Sequence, residues 1–202
     1  PLFMMMNEET GVADTTLPVD VFKAHLRMGS GFGTETLQDE VLVSFLRAAI
    51  AAVEARTGKA LIRRKFSWSL SSWRDDLAQP FPIAPVHSVD SVTTISSDGA
   101  QTVVDAQMYW LDRDRQRPML RTTSAALATI PRFGTVSITF EAGMGSDWSQ
   151  VPADLQQAVF LLSAHYYEFR HETNLSDGCM PFGVSSLIER YRPMRLGMRV
   201  GG

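Results

Sequence analysis

The chain has 202 residues, 45% of them hydrophobic and 20% charged, with a formal net charge of −3. It is long enough to bury a sizeable core as one large domain or two small ones, and its acidic balance argues against a protein whose main task is gripping phosphates. Cys179 is the single cysteine, which excludes an intramolecular disulfide and an all-cysteine metal site, and no apolar run reaches the length of a membrane span.

Residues 1–16 show no periodicity and read as a flexible N-terminal arm. Its apolar start is too short for a signal peptide and runs into Glu8 and Glu9. With a leading proline of the kind initiator-methionine removal leaves, this reads as a native cytoplasmic start. Residues 18–28 form a short helix with Val21, Leu26 and His25 facing inward, and the glycine-rich stretch 29–33 is a loop. Thr36 is the expected N-cap of a long helix, about 37–57, with Asp39 at its third position. Leu37, Val41, Phe45, Ala48, Ala49, Ala52 and Val53 make its apolar stripe, and Gly58 supplies a left-handed stop.

The period then changes. Phe66, Trp68 and Leu70 alternate with polar residues, the pattern of a strand with one buried face. Pro80, Pro82 and Pro85 punctuate a loop, and residues 86–95 are a second strand. Asp98-Gly99 marks a hairpin turn before a return strand at 101–104. Short strands at 109–112 and 119–121 flank the charged turn 113–118. Val136, Ile138 and Phe140 alternate again up to Gly143.

A second long helix is expected at 152–171. Pro152 suits its first position and Asp154 its first turn. Leu155, Ala158, Val159, Leu162, Tyr166 and Phe169 form one stripe; Phe160, Leu161, Ala164 and Tyr167 form a second apolar face. A helix apolar on two faces needs partners on both, and the second set is the expected subunit-packing surface. Residues 184–192 read as a short helix ended by Pro193. The fold class is therefore α+β: a helical body (17–61 and 146–175), an inserted antiparallel β-rich unit (62–145), and a C-terminal partner-docking arm (176–202).

Catalytic signals are weak. The glycines at 29, 31 and 33 follow a helix and lack the Gly-Lys-Ser/Thr ending of a phosphate loop. Glu168 and His171 have the spacing of half a di-iron motif, but no second Glu-x-x-His exists; His165 and Glu172 leave only an incomplete metal set. Cys179 has no nucleophilic motif around it. No cofactor, metal or catalytic residue is expected. In the tail, Arg190, Arg192, Arg195 and Arg199 are interleaved with Met194, Leu196 and Met198. Three readings stay open for it: a partner-docking arm, a solvated end and a nucleic-acid contact, the last lacking interleaved aromatics.

Several landmarks resemble those of the phage head–tail connector (adaptor) family in its long form, which carries a β insertion. They are EARTGKAL at 54–61, PIAPV at 82–86 with Ser88, Val89, Val92 and Ile95, the 136–143 strand ending in Ala-Gly, and the final long helix ending HYYEFR at 165–170. The chain is most similar to the versions found in tailed phages, prophages and alphaproteobacterial gene transfer agents. The resemblance implies a non-enzymatic ring subunit, in twelve copies, joining the portal to the stopper or tail-side neck protein, with double-stranded DNA passing through the lumen. It implies no membrane partner, a cytoplasmic stage during assembly and a final place in the particle neck. It also implies that Arg190, Arg192, Met194, Arg195, Leu196, Met198 and Arg199 dock on the portal. The competing readings are a metal-dependent enzyme of nucleic-acid metabolism and a generic oligomeric interaction module.

Overall fold

A computed structural model describes residues 4–27, 39–170 and 180–192. The fold is α+β, with eight strands, β1 (Met4–Glu8), β2 (Arg64–Leu70), β3 (Ala78–Pro80), β4 (Val86–Ile95), β5 (Gln101–Val103), β6 (Tyr109–Asp112), β7 (Met119–Thr122) and β8 (Thr135–Ala142), and four α-helices, α1 (Val19–Arg27), α2 (Asp39–Thr57), α3 (Ala153–Glu168) and α4 (Phe182–Ile188), among the described residues. The chain divides into two compact units, one of Pro1–Pro18 with Lys59–Val151 and one of Val19–Gly58 with Pro152–Gly202.

The β unit is built on β8, whose residues alternate strictly between half-exposed and buried. Its inward residues Val136, Ile138, Phe140 and Ala142 are fully buried. Period-2 alternation puts them on one face of a sheet ordered β1-β2-β8-β4-β5, all pairs antiparallel. Phe66 and Trp68 of β2 share that face, opposite Phe140 and Ile138. Phe81 closes the aromatic core, its ring 4.9 Å from that of Phe140 and 5.8 Å from that of Trp68. β4 is longer than its partner because two bulges, between Val86 and Ser88 and between Val89 and Ser91, interrupt the ladder. A second sheet, ordered β3-β7-β6, adds Leu120 to the same core.

The segment expected to be a flexible arm is in part the edge strand β1, paired with β2 from Met4↔Leu70 to Glu8↔Phe66. Its order comes from long-range contacts. Arg64 is buried, donates to Ile62 O at 3.0 Å and reaches Glu8 Oε1 at 2.6 Å, tying β1 down by a charge-assisted bond. β3 lies in the stretch expected to be a proline-punctuated loop. Pro80 is tolerated there because β3 is an edge strand, where a missing N–H removes no ladder bond. Gly143, at φ 148°, ends β8 where a Cβ would lie 2.3 Å from Arg63 Cα, so only glycine fits.

In the helical unit, α2 ends as expected: Gly58 has φ 64° and its N–H bonds Glu54 O at 2.8 Å. The buried face of α2 includes Leu42, Leu46, Ala49, Ile50 and Val53; of the expected stripe Ala49 and Val53 are buried, Phe45 and Ala52 are half-buried, Val41 is 44% exposed, Ala48 is exposed and Leu37 lies outside the described residues. Leu42, Leu46 and Ile50 recur at the same spacing one residue on, and these bulkier side chains take the core. In α1 the inward residue is likewise Phe22, while Val21 is 55% exposed. The buried residues of α3 include Leu155, Ala158, Val159 and Leu162, four of the six expected in its first stripe. No described helix is long and apolar enough to cross a membrane.

Candidate assembly surfaces

The two apolar faces of α3 have different fates within the helical unit. Phe160 is buried, its ring stacked on Phe22 at 6.1 Å and on His25 at 5.7 Å. Tyr167 is buried too, meeting Phe45 of α2 edge-on at 6.2 Å. These two residues, expected at a subunit contact, are instead consumed inside their own unit, because α1 and α2 supply aromatic partners the sequence pattern could not place. The other two of that set, Leu161 and Ala164, are half-buried and line an open groove of about 630 Å³.

That groove runs along the second half of α3 and is walled by His25 and Leu26 of α1 and by Pro181, Gly183 and Val184 at the start of α4. Arg170 and Glu168 stand at its rim. The Arg170 guanidinium lies over the Tyr167 ring at 4.4 Å and donates to Tyr167 O at 2.6 Å, closing the helix C-terminus with a cation.

α4 is held by Val184 and Ile188, both buried, while Phe182 is 89% exposed. The turn that follows, Glu189–Tyr191, folds back onto the first turn of α3. Arg190 meets Asp154 Oδ2 at 2.6 Å and Tyr191 donates its hydroxyl to Asp154 Oδ1 at 2.9 Å. Asp154 thus serves two cationic or hydroxyl donors as well as the helix N-terminus. Burial raises the Tyr191 phenol above its ordinary value, and the neighbouring Asp154 carboxylate adds to the rise. Of the residues expected in the docking arm, Arg190 is therefore engaged within its own unit and Arg192 pairs with Glu189 at 3.3 Å. Met194, Arg195, Leu196, Met198 and Arg199 lie outside the described residues, as do His171, Glu172 and Cys179. Among the described residues, no group of three or more His, Cys, Asp or Glu is placed to hold a metal ion.

In the β unit, the turn between β6 and β7 is a built feature the sequence reading passed over as a charged turn. Lys59 is 4% exposed, and its ammonium donates to the carbonyls of Arg115 and Gln116 at 3.3 and 3.4 Å. From the outer side, Asp114 accepts the N–H groups of Gln116 and Arg117, both at 2.7 Å. Those two backbone bonds, with Lys59 nearby, hold the Asp114 carboxyl below its ordinary value, and burial lowers Lys59 below its own. The turn is clamped from both sides, and Arg113, Arg115 and Arg117 are left exposed.

The described residues form packed sheets, a two-sided helix and exposed apolar and cationic surface. No family model and no curated protein matches the chain. Solved structures do. The chain is 48% identical to one in the neck of an empty gene transfer agent particle computed with C6 symmetry, at a TM-score of 0.85 over 98% of each chain. It is 45% identical, at 0.82 and the same coverage, to one in the neck of a native particle computed with C12 symmetry. A chain in the virion of the native particle matches at 47% identity and 0.85, again over 98% of both. The chain belongs to the head–tail connector (adaptor) family, in the long form with a β insertion.

Proposed function

We propose that this protein is a non-enzymatic neck subunit that closes into a ring of twelve copies, joins the portal of a gene-transfer-agent or phage capsid to the stopper and tail, and lets DNA through its lumen. The observation that carries the reading is likeness at 45–48% identity, over nearly the whole chain, to chains of particle necks treated with C6 and C12 symmetry. A net charge of −3 suits a lumen through which DNA slides without being held. The half-buried Leu161 and Ala164 are the remaining candidates for subunit packing from α3. Arg195, Leu196, Met198 and Arg199, with Met194, remain the proposed portal-docking segment, and Arg190 and Arg192 would anchor its root. The protein would be made and assembled in the cytoplasm before taking its place in the neck.

The experiment is to image the necks of purified particles carrying this chain and weigh the neck complex. A ring of twelve copies between portal and tail is the expected result; a chain found only free, in no particle, overturns the proposal. Removal of residues 193–202 keeps the Arg190–Asp154 clamp and should leave a folded protein that no longer bridges heads to tails. Complete particles assembled with the truncated chain would rule out the docking segment.

A further inference from the structure

A closed ring of identical subunits needs a heterologous contact: one patch on each copy must fit a different patch on the next. The three-stranded sheet β3-β7-β6 carries two such patches at opposite ends. At one end is the clamped turn with Arg113, Arg115 and Arg117 exposed. The strand pairings Asp112↔Met119 and Pro80↔Met119 define this end. The other end is defined by Tyr109↔Thr122 and Ala78↔Arg121. There stand Asp75, Asp76 and Asp105, all exposed, on the segments that lead into β3 and β6. Thr122 N–H bonds Leu77 O at 3.1 Å and Thr123 N–H bonds Met108 O at 3.1 Å, which gathers these segments at one edge. Leu77 and Met108, at 56% and 45% exposed, add apolar surface between the aspartates.

The balance of charge is clear even with the nearby opposite signs counted. Arg74 offsets one of the three aspartates, Asp114 offsets the buried Lys59, and Asp112 pairs with Arg121 at 2.8 Å, so the turn end stays cationic and the other end anionic. Four-residue strands hold them about 13 Å apart, further than the screening length of about 8 Å at physiological ionic strength. The two ends therefore do not neutralise each other within one copy. The cationic end is also preorganised: a buried ammonium fixes the turn's carbonyls and an aspartate fixes its N–H groups, so little freedom is lost when its arginines meet carboxylates.

We infer that the β6–β7 turn of one copy docks on the Asp75–Asp76–Asp105 end of the next copy, making the β unit a head-to-tail contact of the ring. The occupant is a second copy of this chain because the complementary acidic and apolar patch lies on the same sheet. A contact through two different patches builds a ring when its rotation closes, whereas a two-fold dimer would require a self-complementary patch. The inference rests on the ring reading above and adds which surfaces meet.

The test uses charge reversal in particle-producing cells, with the neck of purified particles imaged and the amount of this chain per particle measured. Arg115→Glu with Arg117→Glu makes both ends acidic; Asp75→Lys with Asp76→Lys makes both ends basic. Each variant alone should enter necks about tenfold less than the unaltered chain, since like charges then face each other. Co-expression of the two should restore the ring, because each end of one then fits an end of the other. Circular dichroism of each purified variant checks folding, and the exposed arginine variant alone suffices if the aspartate variant does not fold. If reversal leaves the ring at its normal level, the inference is overturned while the ring reading stands. The same holds if co-expression restores nothing, or if the ring forms normally and only DNA retention falls, which would place the turn on nucleic acid. If the unaltered chain itself is in no ring, the parent reading fails and this one with it.

Discussion

The β unit and the helical unit solve the burial problem in opposite ways. In the β unit the sheet built on β8 turns one apolar face to the core, with Val136, Ile138 and Phe140 alternating inward. In the helical unit α3 is apolar nearly all round. Leu155, Ala158 and Leu162 are buried, Phe160 and Tyr167 take a second set of partners, and Leu161 and Ala164 still line an open groove. A strand has two faces and can commit one of them to solvent; a two-faced helix cannot. The difference assigns closed packing to the sheet core and unfinished packing to the helices, and it can be tested by substitution.

The largest expected effect is on α3. Leu162 is 1% exposed on the inner stripe, and Leu162→Asp would bury a charge with no opposite partner, a change that typically exceeds about 4 kcal/mol. The purified variant should show no cooperative thermal transition by circular dichroism. A helical, cooperatively melting Leu162→Asp protein would mean that this face of α3 is not core, and the contrast between the units would fail. Next comes Phe140→Ala, at the centre of the Phe66, Phe81 and Phe140 cluster. It should cost about 3–5 kcal/mol, read from the urea midpoint, because a closed aromatic core cannot collapse around the cavity. A loss under about 1 kcal/mol would show that the sheet core is as loosely filled as the groove.

The two regions were also unequally legible from sequence. The strands at 86–95 and 109–112 have the bounds the sequence predicts, because turn signals bound them: Pro85 before the first and Asp98-Gly99 after it, and the charged turn 113–118 after the second. β1 was missed because Met4, Met5 and Met6 do not alternate and because its order depends on Arg64, fifty-six residues beyond Glu8. β3 was missed because Pro80 signals a loop to any local reading, and only its edge position makes it tolerable. On α2 the stripe expected from sequence is only partly the buried face, because Leu42, Leu46 and Ile50 recur at the same spacing one residue on; Val41 and Ala48 face solvent and Leu42 and Leu46 the core. The clamp on the β6–β7 turn was invisible for a similar reason, since Lys59 reaches carbonyls fifty-six and fifty-seven residues away. That ambiguity on α2 gives a mid-sized prediction. Leu42→Ala should cost about 2–5 kcal/mol, and Val41→Ala should stay within about 0.5 kcal/mol, both by chemical denaturation. Equal costs for the two would return the helix to the register read from sequence.

The smallest effect sharpens the comparison at its weakest seam, where the chain returns to α3. Tyr191→Phe removes the phenol's bond to Asp154 Oδ1 and the bond it accepts from Arg190 at 2.6 Å. Its cost should be no more than about 2 kcal/mol, the net worth of two exposed or half-buried hydrogen bonds. The sign of its pH dependence separates it from a simple packing loss. The Tyr191 phenol is raised above its ordinary value of 10.0 by burial first, so the folded state favours the protonated form. That stabilisation is complete below pH 10 and is lost as pH rises through the higher folded value. The unaltered protein should therefore lose stability above about pH 10, and Tyr191→Phe should lose less over the same range, reducing the difference between them. Parallel alkaline curves for the two proteins would mean that Tyr191 is solvated in the folded state. The segment after α4 would then be held to Asp154 by the Arg190 ion pair without the phenol, leaving a weaker root for a docking arm.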